Sequence, residues 1–231
     1  MSNIKNLEKN IGIIFKNKDL LQQALVHRSY INEHPDFNIG HNERLEFLGD
    51  AVLEIIVTEY LYLNFPDKPE GDLTNWRASL VNSKMLYKIA DKLNFEDFLL
   101  LSKGESKDKN SKARQYILAD SVEAVIGAIY LDQGFEIAKD FILKNVVVDL
   151  KDILKNKTYV DPKSRFQEMS QEIVGITPSY KVLKEEGPDH AKKFTVGLYL
   201  NDELVAVSEG SSKQEAQTRA AEEGLKLKKW L

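Results

Sequence analysis

Residues 116–130 read YILADSVEAVIGAIY, and almost every position in this stretch is apolar or small. A helix that is apolar on all sides is a buried helix, so the stretch predicts the centre of a helical domain. Asp120 and Glu123 interrupt the apolar run and share one face of the predicted helix. Because burial of unpaired carboxylates is unfavourable, both side chains need protons or a compensating positive charge.

A second acidic helix is predicted upstream, between His41 and Leu63. At about 100° of turn per residue, Glu43, Glu46 and Asp50 fall within an arc of roughly 60°. The side opposite this arc is apolar and contains Leu45, Leu48, Val52, Ile55 and Ile56. Taken alone, this helix is explained equally well by a polar face in contact with solvent.

The compensating charge for Asp120 and Glu123 has two candidate sources. A salt bridge to Arg77 or Arg114 is the simpler one. A divalent cation explains more, because it would also use the acids of the upstream helix. Ligation by oxygen alone favours Mg²⁺ or Mn²⁺ over zinc.

Other carboxylate sites fit the pattern less well. A di-iron bundle uses Glu-x-x-His motifs, whereas the spacing here is Asp120-x-x-Glu123 with no histidine nearby. His27 falls in a different predicted helix, and we interpret it as a structural histidine. A glycosidase pair remains an alternative, although four clustered acids exceed what it needs.

The composition of the 231 residues is that of a globular protein with a net charge of −4 and no cysteine. The absence of cysteine excludes thiolate catalysis and zinc sites ligated by cysteine. It also fits a reducing cytoplasm, which is the expected location. The acidic charge argues weakly against nucleic acid as a partner, although a local basic patch is compatible with it.

The pattern changes near residues 155–161, which predicts a domain at 1–154, a linker at 155–160 and a second domain at 161–231. In the first domain, helices are predicted at about 3–9, 18–29, 43–63, 73–92, 113–132 and 135–154. In the second, a helix at 164–174 precedes strands at 180–185, 194–200 and 203–208 and a helix at 212–228. The predicted fold is therefore an all-α domain followed by an α+β domain of order α-β-β-β-α.

Four motifs resemble those of the ribonuclease III family and occur in the family's order. They are NERLEFLGDAVL at 42–53, EGDLT at 70–74, RASLV at 77–81 and LADSVEA at 118–124. The first is too long for chance agreement. The resemblance extends over nearly the whole chain, and residues 161–231 resemble the double-stranded RNA-binding domain of the bacterial enzymes.

The resemblance implies an endoribonuclease that hydrolyses double-stranded RNA with a water activated by Mg²⁺, for which Mn²⁺ could substitute. It implies that the metal and catalytic acids are Glu46, Asp50, Asp120 and Glu123, and that Glu43 and Glu70 are accessory acids. A solvated residue before a helix is the alternative for Glu70. The family resemblance further implies a homodimer, 5′-phosphate and 3′-hydroxyl ends with short 3′ overhangs, and ribosomal precursors among the substrates.

Double-stranded RNA offers a wide minor groove and exposed phosphates to the second domain. Candidate groove-binding residues are Gln167 and Glu168 on its first helix and Pro188, Asp189 and His190 between strands. Ser212 and Lys213, at the start of the last helix, are candidates for phosphate binding. The chain departs from the family at Gln214, where a basic residue is usual, and at Gly224, where glycine in place of alanine costs up to about 1 kcal/mol.

The polar segment from Ser102 to Arg114 contains several lysines and could contact an RNA backbone, although a solvated loop is the simpler interpretation. Two other functions compete with that of an endonuclease. A non-catalytic RNA-binding protein on the same fold would have no need of the six acids. A phosphohydrolase acting on small molecules would have no need of the second domain.

Overall fold

The apolar stretch around Ala124 forms the central helix of the first of two structural units. We describe a computed structural model in which residues 2–108, 111–156, 159, 161–188 and 192–230 are defined. Contacts between residues divide the chain into the units Met1–Tyr159 and Val160–Leu231. In the described part of the chain, no helix combines the length and the apolar character needed to cross a bilayer.

The first unit is all-α, as predicted. Its helices are α1 (Ser2–Ile11), α2 (Lys18–Ala24), α3 (Arg28–Glu33), α4 (Glu43–Asn64), α5 (Glu70–Val81), α6 (Ser83–Lys92), α7 (Lys112–Gln133), α8 (Phe135–Asn145) and α9 (Leu150–Asn156). The two acidic helices of the sequence are α4 and α7, and both match their predicted bounds within one residue. Short 3₁₀ turns lie at Phe95–Phe98, Glu105–Lys107 and Val147–Asp149.

Three of the predicted helices are interrupted, so their prediction as single helices is wrong. The helix predicted at 18–29 breaks because Val26 forms a parallel bridge with Leu100, after which His27 caps α3. The helix predicted at 73–92 breaks at Asn82, whose side chain accepts a hydrogen bond of 2.9 Å from the Met85 amide. The third prediction, 135–154, is divided by the 3₁₀ turn at Val147–Asp149.

Helices α4 and α7 cross in direct backbone contact at two glycines. A Cβ atom on Gly49 would lie 1.7 Å from the carbonyl oxygen of Glu123, and one on Gly127 would lie 2.2 Å from that of Leu45. Any larger residue at either position would therefore force the helices apart. The crossing places the acids of one helix beside those of the other.

The outward face of α4 differs from the one that the helical pattern predicts. Ile55 was expected on the buried side, but its side chain is 55% exposed, and Phe47 is 81% exposed. The reason is that α7 and its neighbours cover only part of the circumference of α4. An apolar stripe of α4 therefore remains on the surface of the single chain.

The second unit has the predicted α-β-β-β-α order. It comprises α10 (Pro162–Val174), β1 (Ser179–Glu186), β2 (Lys193–Leu200), β3 (Glu203–Gly210) and α11 (Lys213–Leu227). The strands form an antiparallel sheet in the order β1-β2-β3. Both helices contribute to its core, in which Phe166, Leu198 and Ala221 are fully buried.

Gly224 is unfavourable for a helix but is required by the packing around it. A Cβ atom at this position would lie 2.5 Å from Cδ2 of Leu198 and 2.8 Å from the ring of Phe166. Both of these side chains are fully buried and have little room to move. The glycine therefore permits α11 to approach the sheet and α10.

We expect Gly224→Ala to destabilise the second unit in spite of its gain in helix propensity. The gain is about 1 kcal/mol, whereas overpacking of a buried contact costs about 1–3 kcal/mol. Thermal unfolding followed by circular dichroism would measure the difference. Glu222→Ala, at an exposed position of the same helix, is the matched control, and a variant of Gly224 as stable as the wild type would contradict the packing role.

Candidate metal centre

Three carboxylates converge where α4 crosses α7. Glu46 comes from α4, and Asp120 and Glu123 come from α7. One oxygen of each lies within 4.8 Å of the others, and all three side chains are half-buried. A set of oxygen donors this close fits one hard divalent cation such as Mg²⁺ or Mn²⁺.

Asp50 lies one turn after Glu46 at the exposed rim of this cluster. It is not among the three residues whose oxygens converge. Its charge nevertheless contributes to the raised pKa of both Glu46 and Glu123. Asp50 therefore shares the electrostatic environment of the cluster.

The cluster is strongly unfavourable for ionised carboxylates. Burial raises the pKa of Glu123 from 4.5 to about 8, with further contributions from Asp50, Asp120, Glu46 and Glu54. Burial is also the first cause of the raised pKa of Glu46, followed by the charges of its acidic neighbours, and it raises the pKa of Asp120. A cation that binds here displaces protons, so its affinity rises with pH.

The two arginines considered as salt-bridge partners of the acids are engaged elsewhere, so that alternative is wrong. The Nε atom of Arg77 lies 3.1 Å from Glu54. Arg114 is only 2% exposed, and it donates to the carbonyl of Glu105. His27 is a structural residue, as predicted, because its Nδ1 lies 2.8 Å from Oγ of Ser29 at the start of α3.

The two predicted accessory acids lie in different places. Glu43 is the first residue of α4 and lines a cavity together with Glu46 and Asp120. Glu70 is the exposed first residue of α5, accepts a hydrogen bond of 3.0 Å from Thr74, and lines a separate cavity of about 630 Å³. The single chain therefore brings Glu43, but not Glu70, to the acidic cluster.

The two crossing glycines were missed as parts of the site. They hold Glu123 against α4, because the contact of Gly49 is with the carbonyl of Glu123 itself. A signal for them exists in the sequence. Gly49 directly precedes Asp50, and Gly127 follows Glu123 by about one turn on a helix that has no other glycine.

The candidate RNA-binding residues of the second unit are mostly exposed. Gln167, Glu168 and Pro188 are exposed, while Asp189 and His190 lie outside the described residues. Ser212 caps α11 by accepting a hydrogen bond of 3.1 Å from the Glu215 amide. Lys213 is exposed, with its Nζ 5.5 Å from the ring centre of Phe194.

The lysine-rich segment before α7 is partly ordered by hydrogen bonds. The amide of Lys103 donates to Glu33 over 3.0 Å, and Arg114 holds the carbonyl of Glu105. Lys109 lies outside the described residues. Lys112 belongs to the first turn of α7, behind the capping residue Ser111. The segment is therefore anchored at both ends.

Two family descriptions match the chain, one for each unit. Residues 17–150 match a family described as Ribonuclease-III-like, and residues 162–228 match the double-stranded RNA binding motif. The chain is 46% identical to Ribonuclease 3 of Carboxydothermus hydrogenoformans, over 98% of this chain and 96% of that protein. It is 43% identical to Ribonuclease 3 of Enterococcus faecalis, over 95% of each.

Solved structures show the same likeness for the first unit. The nuclease domain of ribonuclease III from Campylobacter jejuni is 46% identical, with a TM-score of 0.57, over 64% of this chain and 97% of that one. A second structure of that domain, which concerns flexibility in a region involved in dimer formation, has a TM-score of 0.56 at 46% identity. It covers 62% of this chain and 96% of that one.

Proposed function

Since this chain belongs to the ribonuclease III family, we propose that the carboxylates at the crossing of α4 and α7 hold the divalent metal with which it cuts RNA. The chain is an endoribonuclease that acts on double-stranded RNA. The observation that carries the proposal is the convergence of Glu46, Asp120 and Glu123 within 4.8 Å. We propose Mg²⁺ as the ion in the cell, with Mn²⁺ as a substitute, because both prefer oxygen ligands.

Each acid has a role that follows from its place. Glu46, Asp120 and Glu123 bind the ion, and Asp50 adds negative charge at the rim. When bound, a divalent ion lowers the pKa of a water molecule and neutralises charge on a phosphodiester. Because the carboxylates act as ligands, no serine, cysteine or histidine nucleophile is required. The proposed products carry 5′-phosphate and 3′-hydroxyl ends with short 3′ overhangs.

A cleavage assay tests the metal dependence and the substrate together. A perfect RNA duplex and its separated strands are incubated with the protein in Mg²⁺, in Mn²⁺ or in EDTA, and the product ends are mapped. We expect cleavage of the duplex alone, and only with a divalent ion. Cleavage in EDTA, or equal cleavage of single strands, would contradict the proposal.

Binding of double-stranded RNA is assigned in part to the second unit. We propose that Gln167 and Glu168 contact a minor groove, and that the loop containing Pro188, Asp189 and His190 contacts another. Ser212 and Lys213 are proposed to meet phosphates at the start of α11. The exposure of Gln167, Glu168, Pro188 and Lys213 supports this proposal, whereas the hydroxyl of Ser212 is already used in capping.

A homodimer is proposed on different grounds from those that the sequence first suggested. Helix α7 is covered within one chain, so its apolar circumference gives no argument for a partner. The argument comes from α4, where Phe47, Ile55 and Tyr62 are 81%, 55% and 72% exposed. Exposed apolar clusters of this kind mark interaction sites. The dimer would present two metal centres, each of which would cut one strand of the duplex. The proposed substrates are RNA precursors in the cytoplasm, including ribosomal ones.

We expect light scattering at micromolar concentration to give the mass of a dimer, and Phe47→Glu to give that of a monomer. The substitution puts a charge into the proposed interface, while the exposed position tolerates it in a single chain. Ile14→Glu is the control, because Ile14 is similarly exposed, at 79%, on the segment after α1. A wild-type monomer, or an equal effect of both substitutions, would contradict the proposed interface.

A further inference from the structure

A cavity of about 420 Å³ adjoins the metal centre and contains one arginine. Glu46 and Asp120 line it from the side of the metal centre, and Glu43 and Arg28 line it as well. Arg28 is the first residue of α3, directly after the capping residue His27. Three carboxylates and one guanidinium therefore face the same space.

When a bound divalent ion has displaced their protons, the three carboxylates exceed the one arginine by two negative charges, which that ion balances. A phosphate that enters would again make the cavity negative, so it needs a positive partner. His27 does not supply one, because burial lowers its pKa and its Nδ1 is engaged with Ser29. Among the described residues that line this cavity, Arg28 is the side chain that stays positive at neutral pH.

Arg28 pairs with Glu43, which favours this position of the guanidinium, and it keeps donors for a second partner. Its Nη1 atom lies 3.5 Å from Oε1 of Glu43, and its side chain is 71% exposed. A guanidinium has five N–H donors, so one contact to a carboxylate leaves donors for a phosphate. Exposed ion pairs contribute little free energy, so the arginine can adjust its position when RNA arrives.

Glu43 lies at the edge of the acidic cluster and makes its side-chain contacts with Arg28 and His41. Besides Arg28, its carboxylate lies 3.8 Å from Nδ1 of His41. It is not among the three acids whose oxygens converge at the metal centre. A role through Arg28 therefore fits its contacts better than a role as a metal ligand.

We propose that Arg28 binds a backbone phosphate of double-stranded RNA in the cavity beside the metal centre, and that Glu43 is the positioning residue that holds it there. This inference rests on the proposed function, because it assumes that RNA occupies the acidic cluster. It departs from the expectation that Glu43 is an accessory acid of the cleft.

The test measures binding of an RNA duplex in EDTA, where binding is observed without cleavage, over a range of salt concentrations. We expect Arg28→Ala to weaken binding about tenfold, as for loss of one charge-assisted contact. The slope of log affinity against log salt should fall by about one, because one phosphate contact is lost. Arg28→Lys should restore the slope but only part of the affinity.

Glu43 is tested by combining variants. Glu43→Gln should weaken binding less than Arg28→Ala does, and the double variant should resemble Arg28→Ala, because Glu43 acts through Arg28. Neither substitution removes one of the three converging ligands, so the number of Mn²⁺ ions bound per chain, measured by calorimetry without RNA, should stay the same. Lys9→Ala, which removes one exposed positive charge on α1, is the control for net charge.

Each result is decisive. An unchanged salt slope for Arg28→Ala would falsify the phosphate contact, and loss of a bound Mn²⁺ ion from Glu43→Gln would make that residue a ligand instead. Failure of the proposed function looks different, since wild-type protein would then bind the duplex in EDTA but not cut it when Mg²⁺ is added.

Discussion

Substitution of Glu123 by glutamine is expected to abolish cleavage of double-stranded RNA while leaving RNA binding nearly intact. Glutamine keeps the shape of the side chain but removes the charge of the most buried acid in the cluster that binds the metal. Single-turnover cleavage of a duplex at saturating Mg²⁺ is the measurement, with binding to the same duplex measured in EDTA. Glu136→Gln, an exposed acid at the start of α8, is the matched control.

The same substitution is expected to stabilise the protein without metal at pH 8. The carboxyl of Glu123 has a pKa of about 8 in the folded chain against an ordinary value of 4.5. Between these values the folded state binds more protons than the unfolded state, so stability falls as pH rises through this window. Glutamine does not ionise and avoids that loss.

Thermal unfolding in EDTA at pH 4.5 and at pH 8 tests this sign. We expect equal melting temperatures at pH 4.5 and a higher one for Glu123→Gln at pH 8, by a few degrees for each kcal/mol gained. An inactive variant that is less stable at pH 8 would indicate damage to the fold. Normal turnover at ordinary Mg²⁺ would remove Glu123 from the metal centre.

Removal of the second unit is expected to weaken RNA binding strongly but to spare catalysis. All six predicted acids belong to the first unit, because they lie in α4, α5 and α7. Lower salt strengthens the remaining phosphate contacts, so the truncated protein should still cut there. Single-turnover cleavage by the full-length and truncated proteins across a salt series is the measurement.

A contact of Tyr159 with the first unit determines where the chain should be truncated. A deletion from residue 158 onward would remove Tyr159, whose ring centre lies 6.0 Å from that of Trp76 in the first unit. A chain of residues 1–159 keeps this contact, and one of 1–157 is its control and should melt at a lower temperature. If the longer chain folds and dimerises yet never cuts at low salt with saturating Mg²⁺, the second unit contributes to catalysis.

The sequence predicts best what has a strong periodic signal. Helix α7 is apolar on all sides and α4 carries a regular acidic face, so the bounds of both helices were predicted within one residue. The breaks at Val26 and Asn82 were not predictable in this way. The first depends on a bridge to the distant Leu100, and the second on one side chain that caps a helix.

The partners of charged residues were predicted less well than the residues themselves. Arg114 precedes Asp120 on the same helix and Arg77 lies in another of the four motifs, but these arginines contact Glu105 and Glu54 instead. Arg28 was not singled out, because its relation to Glu43 depends on how α3 meets the start of α4. Such pairings arise from tertiary packing, on which helical periodicity carries no information.

The contact between α4 and α7 at Gly49 and Gly127 separates two kinds of mutational tolerance. Replacement of an acid by a neutral residue removes a metal ligand. It also relieves repulsion between the carboxylates, so the packing of α4 against α7 is preserved. Replacement of either glycine, even by alanine, forces the two backbones apart. Both the packing of the helices and the metal site are then lost. Descendants of such a chain can therefore lose catalysis in a single step and persist as RNA-binding proteins. In those lineages the glycines would be inherited after the carboxylates have drifted away.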